Sequence, residues 1–185
     1  MNSKSPQNII EEIPSKPLPS TLFCIISFNQ LEAYFRVKEQ CEKSFSKVYL
    51  ESNPMPKWTI DISEKSSSLL GDGTKILAFQ RKINREELPE VKKRCIEIRK
   101  KLLKKDSTLR IMPGYLSSHN VVLSSIYDDF HRVYLFHGIY AEVIYKYERL
   151  QLQTLDSAPE FFTMNEVVYF FNALRDYHIN SEKRF

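Results

Sequence analysis

Apolar and polar positions along the chain switch between a period of two and a period near 3.6, and each switch marks an element. Thr21 to Phe28 (TLFCIISF) is a nearly unbroken apolar run of strand length, which predicts a central strand buried on both faces. Asn29 is then placed to cap a helix whose apolar positions Leu31, Tyr34, Phe35, Cys41 and Phe45 recur at helical spacing. Lys47 to Leu50 predicts a second strand, ended by Pro54 and Pro56, with Trp58 to Ile62 a short extension that packs the only tryptophan. Glu64 to Thr74 reads as a loop and Lys75 to Ile83 as a third strand. Asn84 and Glu87 form a capping box before a long helix with the stripe Leu88, Val91, Cys95, Ile98 and Leu102; Thr108 to Met112 predicts a fourth strand.

The order β-α-β-β-α-β, with right-handed crossovers, predicts a split βαβ, ferredoxin-like sheet carrying both helices on one face. Pro113-Gly114 reads as the entry to a loop, and the period of Val121 to Ile126 assigns it no class. His131 to Leu135 and Ile139 to Tyr147 bracket Phe136-His137-Gly138, a three-residue hairpin loop with glycine at the left-handed position. That turn pairs Leu135 with Ile139, Tyr134 with Tyr140, Val133 with Ala141 and Arg132 with Glu142. It sends Val133, Leu135, Ile139, Ala141 and Val143 to the core and turns Arg132, Tyr134, Tyr140 and Glu142 the other way. Thr163 to Glu166 is a second capping box, opening a helix with the stripe Val167, Phe170, Phe171 and Leu174. The expected fold is α+β: a ferredoxin-like sheet extended by a C-terminal hairpin and helix, as a single domain over residues 21–185 behind a disordered, proline-rich tail of residues 1–20.

Composition narrows the chemistry. With 185 residues at 42% hydrophobic, one compact core is within reach without a metal or disulfide staple. Cys24, Cys41 and Cys95 lie far apart with no CxxC and no neighbouring histidine, so they read as reduced core residues. No apolar run approaches the roughly 18 residues of a membrane span, and Glu11 and Glu12 sit where an export signal needs its apolar stretch. A cytoplasmic location with no membrane partner is the expectation.

Four glycines leave Gly71-Asp72-Gly73-Thr74-Lys75 as a phosphate-loop candidate, but it lacks the spacing and the following helix of a P-loop, which argues for a plain turn and against a Ras-like GTPase. His119, His131, His137 and His178 have no metal-binding spacing, and neither His119 nor His131 opens the His-x-Thr or His-x-Ser pair of a two-histidine phosphoesterase. No serine nucleophile elbow is present. No metal and no cofactor is expected.

Two groups of residues remain. Arg132 opposite Glu142, with Tyr134 and Tyr140 as walls and His131 and Tyr115 near, offers a fixed guanidinium to a carboxylate or phosphate. The plainer reading is a cross-strand ion pair worth about 0.2 to 1 kcal/mol. On the second long helix, Lys92, Lys93, Arg94, Arg99, Lys100, Lys101, Lys104 and Lys105 cover the surface away from the apolar seam. They suit a nucleic-acid backbone, but without interleaved aromatic residues they fit a solvated face complementing the helix dipole better.

The blocks Pro113-Gly114-Tyr115-Leu116-Ser117, Val122-Leu123-Ser124-Ser125, His131-Arg132-Val133-Tyr134-Leu135 and Gly138-Ile139-Tyr140-Ala141-Glu142-Val143 resemble, in order and spacing, the hallmark region of a bacterial family of uncharacterised proteins, domain of unknown function 4416. The resemblance extends from Leu22 through the C-terminal helix and implies no biochemical role. Met112 stands where the family pattern has an acidic residue, Asn120 where it has a lysine, and Ser66-Ser67-Ser68 where it is rich in tyrosine, which marks a divergent member. Tyr115, His131, Arg132, Tyr134, Tyr140 and Glu142 keep the pattern.

These readings point to a non-catalytic binding module for a small anionic ligand or a protein partner. One alternative is an enzyme on a phosphorylated or carboxylated metabolite, with His131 or Glu142 as general acid or base and Arg132 as anion clamp. A further one is RNA binding along Lys92, Lys93, Arg99, Lys100 and Lys104.

Overall fold

The computed structural model of the chain describes residues 12–58 and 70–182. Most of the expected tail, positions 59–62 of the expected extension and the serine run Ser66 to Ser68 lie outside the described residues. Those that are described form a mixed α/β structure of three α-helices and an eight-stranded antiparallel sheet.

Every residue of β1 (Ser20–Phe28) is buried, as an unbroken apolar run requires, and the strand lies between β3 (Gly73–Ile83) and β4 (Arg110–Leu116). β2 (Val48–Glu51) forms the edge beyond β3. On the other side the sheet continues from β4 through β5 (Asn120–Ser125), β7 (Ile139–Glu148) and β6 (Val133–Phe136), while β8 (Gln151–Thr154) pairs with the far end of β7. The sheet thus has two strands, β5 and β8, beyond the four-stranded sheet and hairpin that were expected.

Alternation along β1 divides the core in two. Leu22, Cys24 and Ile26 pack under α1 (Leu31–Ser44) and α2 (Leu88–Leu102), against Tyr34, Val37, Cys41, Val91, Cys95 and Ile98. Phe23 and Ile25 face the opposite side, where α3 (Asn165–Glu182) contributes Val167, Phe170, Phe171 and Leu174. Helices therefore cover both faces, and a chain segment trapped between the layers has water on neither side.

Several local expectations change. Leu31 and Phe35 are both 56% exposed, because the buried stripe of α1 runs through Ala33, Tyr34, Val37 and Cys41. Asn29 does not cap this helix: its Oδ1 accepts from the Asp72 N–H, and Asp106 instead accepts from the Asn29 and Gln30 N–H groups at 2.6 and 2.8 Å. A carboxylate some 76 residues away in sequence thus does the capping, which no local motif reveals. The Asn84 box does form, with Glu87 accepting from the Asn84 N–H at 2.8 Å. Thr163 closes a 3₁₀ turn by donating to the Glu160 carbonyl rather than capping α3.

The hairpin differs from expectation in its turn. Phe136 pairs with Ile139, so the loop is the two residues His137 and Gly138, at φ 54° and 74°. Positive φ at both positions is what a type I′ turn requires. Leu135 is bulged out between Tyr134 and Phe136, which restores the pairs Tyr134 with Tyr140 and Val133 with Ala141. β8 follows a tight turn through Arg149 and Leu150, at φ 52° and 65°. Neither is a residue that signals such a turn, which is why this strand is invisible in the sequence.

A cleft between β4 and β5

Pro113 and Gly114 are not a loop entry; they lie inside β4. Ladder pairing of β4 with β5 covers Leu116, Tyr115 and Gly114, opposite Val121, Val122 and Leu123, and goes no further. The reason is chemical. Pro113 has no N–H to give the next rung, and its carbonyl takes the Ser124 hydroxyl instead, at 2.7 Å. Gly114 permits close packing at the same point, since a Cβ there would meet the Phe23 ring and the Val122 carbonyl oxygen, each at 2.4 Å. Beyond Pro113 the two strands part, and β5 offers Ile111 no ladder partner.

The gap is a cavity of about 160 Å³ that runs from the α2 side of the sheet to the α3 side. Lys92, Ile96 and Arg99, spaced i, i+4 and i+7 on α2, line one end. Trp58, Pro159, Leu123 and Glu142 line the other, and Arg110, Met112, Ser124 and Ser125 form the sides. Two guanidiniums converge here: Arg99 Nε and Arg110 Nη1 both donate to the Leu109 carbonyl oxygen, at 2.7 and 2.9 Å. Burial, and then the charge of Arg110 beside it, lowers the pKa of the Arg99 guanidinium.

Glu142 is 3% exposed. Its Oε2 accepts from Arg132 Nε at 3.0 Å, and its Oε1 lies 3.3 Å from His131 Nε2. The Arg132 side chain is itself 3% exposed and also donates to the Tyr127 carbonyl. Glu142 stands opposite Leu123 in the ladder, so it faces the α3 side with the main core. The polar face of the hairpin is therefore covered at Glu142 but not at Tyr134, which is 57% exposed; of the residues expected in the core, Ile139 is buried while Val133 is 68% exposed. Alternation shows which residues share a face but not which face the rest of the chain covers.

The other expected site residues separate. Tyr134 and Tyr140 form an edge-to-face pair at 5.3 Å, outside the lining of the cavity. Tyr115 pairs with Leu22 and Val122, packs on the α1/α2 side and lies under Arg85, away from Glu142. On α2, Lys92 and Arg99 turn towards the cavity, Lys93 and Arg94 pair with Glu90 and Glu97, and Lys100 is exposed, as is Lys104 just beyond the helix. The basic helix is thus divided between cavity and solvent. Sequence reasoning missed Trp58 and Arg110 as lining residues and flagged Met112 only as a departure from the family pattern; a proline amid strand-like residues was a signal for the opening itself. Among the described residues no group of three His, Cys, Asp or Glu could hold a metal ion, and no helix is long and apolar enough to cross a membrane.

The fold and cleft define a mixed α/β protein whose central sheet is opened between two strands by an internal proline. The chain belongs to the family described as Domain of unknown function (DUF4416), whose model matches residues 18–178. No curated protein and no solved structure matches it.

Proposed function

We propose that the chain binds a small anionic ligand in the cleft between β4 and β5. What supports this reading is the basic character of the described lining, to which Lys92, Arg99, Arg110 and Arg132 all contribute. Arg99 and Arg110 both donate to the Leu109 carbonyl oxygen, which holds two guanidiniums side by side at the wall of the cleft, a geometry suited to a carboxylate or phosphate. Arg132, engaged by Glu142, serves as a wall rather than as the anion clamp. Drug-sized ligands occupy roughly 300 to 1,000 Å³. A space of about 160 Å³ suits a phosphorylated or carboxylated metabolite smaller than a nucleotide.

A thermal-shift screen of such metabolites tests the proposal, because a ligand that binds only the folded state raises the melting temperature by mass action. A selective rise is expected for small phosphates or carboxylates, and it should disappear in Arg110→Gln. No rise across the panel rejects the reading.

The convergence of His131, Arg132 and Glu142 beside the cavity favours one further reading, an enzyme acting on the same ligand with Glu142 as proton acceptor. Turnover of a metabolite that the screen identifies separates the two.

A further inference from the structure

Two buried polar atoms at the α3 end of the cleft take no hydrogen bond among the described residues. Trp58 is 3% exposed and lines the cavity, yet among the described residues its indole N–H has no partner. Its ring packs against Phe161 and Phe162, with centroids at 4.8 and 5.4 Å, which keeps it within the core. The second atom is Glu142 Oε1, which accepts no hydrogen bond although His131 Nε2 lies 3.3 Å away. A buried donor or acceptor left unsatisfied costs about 1 to 3 kcal/mol, so such groups are normally paired. Here a donor and an acceptor border the same cavity, at the end away from Lys92 and Arg99.

We infer that the ligand is a hydroxylated anion, a phosphorylated polyol or a hydroxy acid, whose charged group lies among Lys92, Arg99 and Arg110 and whose hydroxyl lies between Trp58 and Glu142. A single hydroxyl, with one O–H donor and two acceptor lone pairs, can accept from an indole N–H and donate to a carboxylate oxygen at once. A bare alkyl chain leaves both atoms unpaired, and a second anionic group is repelled by Glu142. The apolar lining residues Ile96, Met112 and Leu123 accommodate the carbon skeleton. This inference rests on the anion-binding reading and specifies what the ligand carries besides its charge.

The test is a matched pair of probes, glycerol phosphate and propyl phosphate, titrated calorimetrically against the intact chain. They share the phosphate and the three carbons and differ in the hydroxyls. Glycerol phosphate is expected to bind at least about tenfold more tightly, since a site built to bond a hydroxyl rejects the analogue without one. Trp58→Phe keeps the packing and removes the donor, so it should bring the two affinities within about threefold of each other. Equal affinities in the unaltered chain, or a preference that survives Trp58→Phe, overturn the hydroxyl assignment and leave the anion site standing. If neither phosphate binds, the anion reading fails and this inference falls with it.

Discussion

The Ser124 hydroxyl donates to the Pro113 carbonyl at 2.7 Å, at the rung where the ladder between β4 and β5 ends. One missing backbone N–H thus opens the sheet, and the cleft is a consequence of a single residue type. Pro113→Ala restores that N–H and allows the rung to close. Stability should stay within about 1 kcal/mol of the unaltered chain or rise, the size of one hydrogen bond, while affinity for inorganic phosphate falls several-fold. Parallel melting and phosphate titration check both. Undiminished affinity would show that the opening does not depend on the proline.

Arg132 and Glu142 are both buried, so removing one leaves the other charge uncompensated away from water. Arg132→Ala should cost about 3 to 5 kcal/mol, far above the value of an exposed pair. Replacing both residues by methionine should recover most of that loss. Chemical denaturation of the single and double variants measures the difference, and additive losses would contradict a coupled buried pair.

Gly114 sits against the backbone oxygen of Val122 as well as the Phe23 ring, and a backbone atom cannot step aside cheaply. Gly114→Ala should destabilise by at least about 1 to 3 kcal/mol, the range for overpacked cores. Gly138 meets nothing within 4 Å, so Gly138→Ala loses only the left-handed conformation at φ 74°, at a cost of about 1 kcal/mol. Thermal melting of the two variants should rank them in that order.

Glu51 links α1, β2 and β3 by accepting from Lys38, Lys75 and Tyr34. Burial pushes its carboxyl upward, but these hydrogen bonds outweigh it and lower the pKa from 4.5 to about 2. With the folded value depressed, its contribution is complete above about pH 4.5 and is lost as pH falls towards 2. At about 1.4 kcal/mol per pKa unit the contribution is no more than about 3 kcal/mol. Glu51→Gln should therefore flatten the acid limb of stability between those pH values; an unchanged limb would show that Glu51 carries none of it.

The strands and helices with a strong period were legible: the apolar run of β1, the seam of α2 and the stripe of α3 all lie where their spacing places them. What escaped was non-local. Asp106 caps α1 from across the chain, β8 turns through an arginine and a leucine, and Pro113 continues a strand that its residue type argues against. The contact between Arg132 and Glu142 was expected from the hairpin register, which the structure reaches through a shorter loop and a bulge at Leu135. Its burial was not expected, because the cover over that face comes from Trp58 and the segment around Pro159, remote in sequence.

The proposed anion site draws on the cations of the cleft. Melting temperature against inorganic phosphate concentration, at ionic strength matched with chloride, tests it in the unaltered chain and in Lys92→Met/Arg110→Gln. A phosphate-specific rise is expected in the unaltered chain and is lost in the double variant. An equal rise in both, or none in the unaltered chain, contradicts it.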